Sequence, residues 1–186
     1  MRSPLALMAA VIFAGETAEL DHASAVEERC QNTGLAFARW GVFASKGASN
    51  VQGVLYLQAA AASMRRAKIY DLSMGSNASP ADNAFTWIIQ RATTVPTATP
   101  LTPNSLDSAD TLASTIQANA TVTVDGTLTA AAFDYADALN QRATFRWVAA
   151  PYSELIIPAT ANNGFMFGLS AATTSTFVSG CQYEEY

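Results

Sequence analysis

Residues that carry chemistry are scarce in this chain. One histidine and two cysteines in 186 residues leave little from which to assemble a metal centre or a nucleophile paired with a base. His22 has no cysteine or second histidine at ligand spacing, and its acidic surroundings favour a surface position. Cys30 and Cys181 lie far apart. They would pair only in an oxidising compartment and only if the chain around Cys30 returned to the last strand, so two separate reduced thiols are expected. No glycine-rich phosphate loop, zinc-ligand spacing or nucleophile elbow is present. The sequence therefore assigns no catalytic, cofactor-binding or metal-ligating residue, and the expectation is a protein that is not an enzyme.

Charge is scarce too. Charged residues make up 13% of the chain, against about 25% in an ordinary soluble domain. Ten Lys and Arg stand against fifteen Asp and Glu, for a net charge of -5. A nucleic-acid partner needs clustered cations on one face, and none is expected here. The one basic cluster, Arg65, Arg66 and Lys68, is too small for that role and is suited to acids on a partner or to the chain's own Glu184 and Glu185. Ala, Thr, Ser and Asn take the place of the missing charges. Such a surface is buried against other protein at little desolvation cost, which suits a chain living in an assembly. A compositional bias of the source would look the same, and composition alone leaves both open.

Long hydrophobic runs are missing. The longest apolar stretch, residues 4–14, follows Arg2 and falls short of the roughly 20 residues of a membrane span. No membrane partner is expected. The stretch has the outline of a secretory leader, but it lacks a small-x-small cleavage pattern at its end. The alternatives are a helix packed on its own domain or an arm laid across a neighbour. Asp21 would cap a helical stretch over 22–29. Residues 1–36 hold five acids and two bases, a net of minus three. The expected organisation is an N-terminal arm or extension over 1–36 and a β-sandwich domain over 37–186.

What is abundant from residue 37 onward is short apolar runs broken by turn residues. Strands are expected over 37–44, 50–58, 64–75, 85–93, 120–124, 143–148, 155–158, 165–169 and 175–185, with 59–63 a strand continuation or a short turn. Turns are expected at Asp125-Gly126 and at Asn162-Asn163-Gly164. Pro96, Pro100 and Pro103 remove backbone donors, so 93–110 reads as a long extended loop that cannot be a central strand. One helical turn is expected over 110–116. Asp134 and Asp137, with Asn140 and Gln141, fit a short helical segment with a solvated acidic face. Phe85 and Trp87, Phe145 and Trp147, and Phe165 and Phe167 recur two residues apart within strands, which points each pair into a sandwich core. No helix pattern alternates with the strands, so the fold class is all-β: an antiparallel β-sandwich, with a jelly roll the first choice.

Several phrases are distinctive. They are Met64-Arg65-Arg66-Ala67-Lys68-Ile69-Tyr70-Asp71-Leu72, Pro80-Ala81-Asp82-Asn83 leading into Phe85-Thr86-Trp87-Ile88-Ile89-Gln90-Arg91, Leu139-Asn140-Gln141-Arg142-Ala143-Thr144-Phe145-Arg146-Trp147-Val148-Ala149-Ala150-Pro151, and Leu155-Ile156-Ile157-Pro158-Ala159. They resemble virion structural proteins of tailed bacteriophages, of the jelly-roll capsid decoration or cement type, over about residues 38–186. The resemblance implies a protein on the outer surface of the virion's head shell, often a homotrimer, with the major capsid protein as partner and no reaction performed. Residues 1–36 depart from the family pattern. Two alternatives belong to other classes: a receptor-binding or tail-associated jelly-roll module that adheres to host surface glycans, and a secreted enzyme or carbohydrate module made with a leader. On the decoration reading, residues 1–36 and the Pro-rich segment 93–110 are expected to contribute to the contact with the shell.

Overall fold

The computed structural model describes residues 38–60, 65–77, 80–109, 112–129 and 133–186. The expectations placed on residues 1–36, including His22 and Cys30, lie outside the described residues. Among the described residues there is no helix. Twelve strands form two sheets. They are β1 (Ala38–Lys46), β2 (Val51–Ala59), β3 (Ala67–Ser76), β4 (Ala84–Ala92), β5 (Thr97–Leu101), β6 (Asn104–Ser105), β7 (Ile116–Val124), β8 (Tyr135–Asn140), β9 (Phe145–Val148), β10 (Leu155–Ile157), β11 (Gly164–Thr173) and β12 (Phe177–Glu185). One sheet, A, runs β10-β3-β12-β1-β6, with β9 continuing beside β3. The other, B, runs β5-β7-β2-β11-β4-β8.

This order is a jelly roll. Each early strand pairs antiparallel with its late counterpart: β1 with β12, β2 with β11, β3 with β9 and β10, and β4 with β8. A long hairpin wrapped once around a barrel axis produces this pairing and splits the strands between two facing sheets. All pairings are antiparallel, as expected from strands that follow one another without crossover helices.

Alternation along the strands shows which residues face the core. In β1 the side chains of Ala38, Trp40, Val42 and Ala44 are buried, while Arg39 and Phe43 face out. In β12 Phe177, Cys181 and Tyr183 face in, and Trp40 stacks on Tyr183 with ring centroids 5.8 Å apart. Phe177 meets Phe85 and Trp87 edge-on at 5.3 and 5.0 Å. Phe165 and Phe167 are fully buried in the same cluster, so the paired aromatics fill the core as their spacing predicts, with Phe85 and Trp147 at its margin. Each such side chain removed from water contributes about 1.5–3 kcal/mol. Within sheet B, β11 opens so close to β2 that a Cβ on Gly164 would stand 2.0 Å from the Leu57 carbonyl oxygen.

Three expectations are corrected. The Pro-rich segment is not a plain loop: it supplies β5 at the margin of sheet B and β6 at the margin of sheet A. Pro100 sits in the ladder opposite Asn119, where the terminal position of β5 leaves its missing donor harmless. The segment around Asp134 and Asp137 is not helical; residues 135–140 form β8 along the free edge of β4. That edge offers a row of backbone partners, which outweighs a weak helical spacing. Of the helical turn expected over 110–116, residues 112–115 have no helical structure and Ile116 opens β7.

Three buried polar clamps tie loops to the strands. Lys46 is 1% exposed, and its ammonium donates to the carbonyls of Ser49, Thr173 and Ser175 at 2.8, 2.6 and 3.1 Å. The Asp125 carboxylate accepts from the backbone of Gln52 and Gly53 and from the Tyr56 hydroxyl, at 2.8, 2.9 and 3.0 Å. Glu185 accepts from the backbone N–H and the hydroxyl of Thr115 and pairs with Arg65 at 3.7 Å.

Candidate functional site

The outer faces of the two sheets differ. On sheet B, the chain between β4 and β8 returns across the outside. Val51, Tyr56, Ile88, Ala92, Val122 and Met166 form a second buried cluster there, with Ala98 and Leu128 packed on it. Asp125 pins this crossing to β2, and backbone bonds from Thr93 to Thr127 and from Thr129 to Arg91 hold it to the end of β4. Sheet A carries no such second cluster among the described residues, and large apolar side chains stand exposed on it.

Register builds the site on sheet A. Phe43 of β1 lies opposite Gly180 of β12, Gly180 opposite Ser73 of β3, and Ser73 opposite Arg146 of β9. Residues directly opposite in an antiparallel pair point to the same face. The row therefore reads a protruding phenyl ring, a position with no side chain, a short hydroxyl and a long guanidinium. Gly180 leaves a trench between the flanking side chains. The next row runs Gly41, Gln182, Asp71 and Val148. Phe43, Leu106 and Val148 are 65%, 51% and 59% exposed.

Two linked depressions follow from this relief. One of about 530 Å³ is lined by Gly41, Phe43, Asp71, Leu106, Arg146 and Gly180, among others. A second of about 300 Å³ continues past Phe43, Ser73 and Gly180 toward Gln141 and Thr144. A third, of about 250 Å³, lies between Arg39, Lys68, Tyr70, Glu154 and Glu184. In β3 the register slips between Gln182 and Tyr183, so that Tyr70 and Asp71 are both only half-buried. The unbroken β3–β9 register sets Asp71 on the same face as Arg146, one pair along, with Nη2 2.7 Å and Nε 3.2 Å from the two carboxylate oxygens. Its hydrogen bond to Asp71, and then the carboxylate's charge, push the Arg146 pKa up. Arg39 and Glu184 form a second cross-strand pair at 3.5 Å. The face offers apolar relief framed by paired charges, a chemistry of adhesion.

The residues weighed from sequence fall in different places. Cys181 is a free thiol inside β12, and burial pushes its pKa well up. Of the basic cluster, Arg65 does reach Glu185, and Lys68 lies over the Tyr186 ring at 4.6 Å. Asp134 pairs with Arg91 at 3.3 Å at the start of β8, away from the trench. Among the described residues no group of three His, Cys, Asp or Glu side chains converges. Sequence reading passed over Phe43 and Gly180. The signal was available for Phe43, because burying Trp40 and Val42 forces it onto the side of Arg39. No local signal places Gly180 beside it. No family model, curated protein or solved structure matches the chain.

Proposed function

We propose that this chain is a non-enzymatic decoration protein of a tailed-phage head. On this reading it binds the outer surface of the shell as a homotrimer and stabilises contacts between major capsid subunits. The observation that carries the reading is where the phage-like phrases fall. Residues 67–72, 145–148 and 155–157 of these phrases lie in β3, β9 and β10, strands that build one side of the exposed face of sheet A and supply Arg146 to its trench, while 85–91 lies in β4 of sheet B. Most of the phrases therefore border the face that is exposed among the described residues, which supports an adhesive role. Packaged nucleic acid strains a shell from within, and a protein that binds only the assembled lattice stabilises it by mass action. A jelly roll pinned by buried polar clamps is stiff enough to transmit that support.

The test uses heads purified without the protein. Recombinant chain is expected to co-sediment with them and to raise the temperature at which they rupture. Absence of the chain from purified particles by mass spectrometry, or no co-sedimentation, would overturn the reading. The glycan-binding alternative has one observation in its favour: Tyr152, at the turn between β9 and β10, is fully exposed with a φ of 66°. An aromatic held out at a sandwich tip is a platform for a sugar ring. Selective signal on a glycan array that Tyr152→Ala removes would favour that reading instead.

A further inference from the structure

We infer that the open face of sheet A is where one copy of this chain binds a second copy, with Phe43 as the knob and the trench over Gly180 as the hole. Three observations carry it. The first is shape. Phe43 protrudes, and directly beside it Gly180 leaves the floor bare. Each copy therefore presents both a knob and a hole, so copies join knob to hole and the contact closes at two chains or, as a ring, at three. Leu106 lies over Gly41, 3.1 Å from where a Cβ there would stand, and supplies an apolar wall.

The second observation is charge. The chain carries a net -5. The side chains framing this face are Arg39, Lys68, Arg142 and Arg146 against Asp71, Glu154 and Glu184, with Asp82 paired to Arg142 at 3.2 Å, so the signs balance. Two copies of an acidic protein repel each other at most orientations but meet here without net repulsion. Arg39 and Arg146 are already paired within the chain, so neither enters the contact as a bare charge.

The third is area. The strands of sheet A hold 37 residues, which at about 4.8 Å by 3.3 Å each span roughly 590 Å². The smallest stable interfaces use about 600 Å² per partner. The opposite face of the sandwich is already covered by the crossing between β4 and β8.

The inference is tested on purified full-length chain, so its fate is separate from whether the chain is found on heads. Light scattering at tens of micromolar is expected to give a mass of two or three chains. Phe43→Asp is expected to cut that mass about two- to threefold, to one chain, with an unchanged circular dichroism spectrum. Gly180→Val, which fills the trench from its floor, is expected to do the same. Val124→Asp, an exposed position at the end of β7, serves as control and is expected to leave the mass unchanged. Three results would overturn the inference. One is a single-chain mass throughout the concentration range. Another is a multi-chain mass that survives both substitutions. The third is a single-chain mass joined to loss of head binding by Phe43→Asp, which would assign the face to the shell.

Discussion

Lys46 illustrates how one side chain holds a sandwich end together. Its ammonium is caged by the carbonyls of Ser49 in the turn after β1, of Thr173 at the end of β11 and of Ser175 in the turn that follows. Burial pushes its pKa down, and the Asp125 carboxylate works in the other direction. Lys46→Met keeps the apolar stem but strands those carbonyls, at an expected cost of about 3 kcal/mol. Urea denaturation checks this, and an unchanged midpoint would show that the cage contributes nothing net. Two tyrosines make the fold sensitive to alkali. Burial pushes the phenol pKa of Tyr56 above its ordinary value of 10.0, and the charge of Asp125 adds to this. Burial does the same for Tyr183, where the Glu185 charge adds and the Ser114 hydrogen bond partly offsets the effect. Above pH 10 the unfolded chain releases protons that the folded chain keeps, so stability present below that pH falls as pH rises through it. The urea midpoint is expected to drop on the alkaline side, with tyrosinate absorbance from these two rings appearing only on unfolding. Tyr56→Phe is expected to flatten that drop.

At the scale of elements, β11 is held between β2 and β4 along its first half. Its opening residue, Gly164, touches the backbone of β2, where neighbours cannot yield as a side chain does. Gly164→Ala is expected to cost about 2–3 kcal/mol through overpacking. A thermal melt reads it, and a melting temperature equal to that of the parent chain would mean that β2 and β11 separate without penalty. The bulge in β3 has the opposite character. It inserts Tyr70 as an extra residue against β12, so that Ala67 and Ile69 on one side of the break and Leu72 and Met74 on the other all face the core. The short strands β5 and β6 cap one margin of each sheet, so that the Pro-rich segment shields edges otherwise open to strand addition.

For the whole molecule, the asymmetry of the two outer faces is the organising fact. Among the described residues, one is covered by the segment after β7, which packs over Tyr56 and Met166, and the other displays apolar relief with balanced charge. If the molecule works as a clamp on a lattice, the segment ahead of the sandwich is expected to add contact. Deleting residues 1–20 should then weaken head binding by co-sedimentation while leaving the far-ultraviolet spectrum of the sandwich intact; undiminished binding would show that the segment is dispensable.

The amino-acid sequence by itself determined the class of fold and most of its strands. Period-two burial, as in Trp40, Val42 and Ala44, and turns such as Asn162-Asn163-Gly164 are written within a few residues and need no distant partner. The paired aromatics were legible as core for the same reason. The strands β5, β6 and β8 were not legible, because their residues have weak strand character and become strands only when β7, β1 and β4 present a free edge. The candidate site was the least legible part. Phe43, Gly180, Ser73 and Arg146 come from four separate strands, and the trench exists only because register sets them in one row. Local pattern fixes which side of a strand is buried, but only long-range pairing decides which side chains become neighbours and which face of the sandwich is left uncovered.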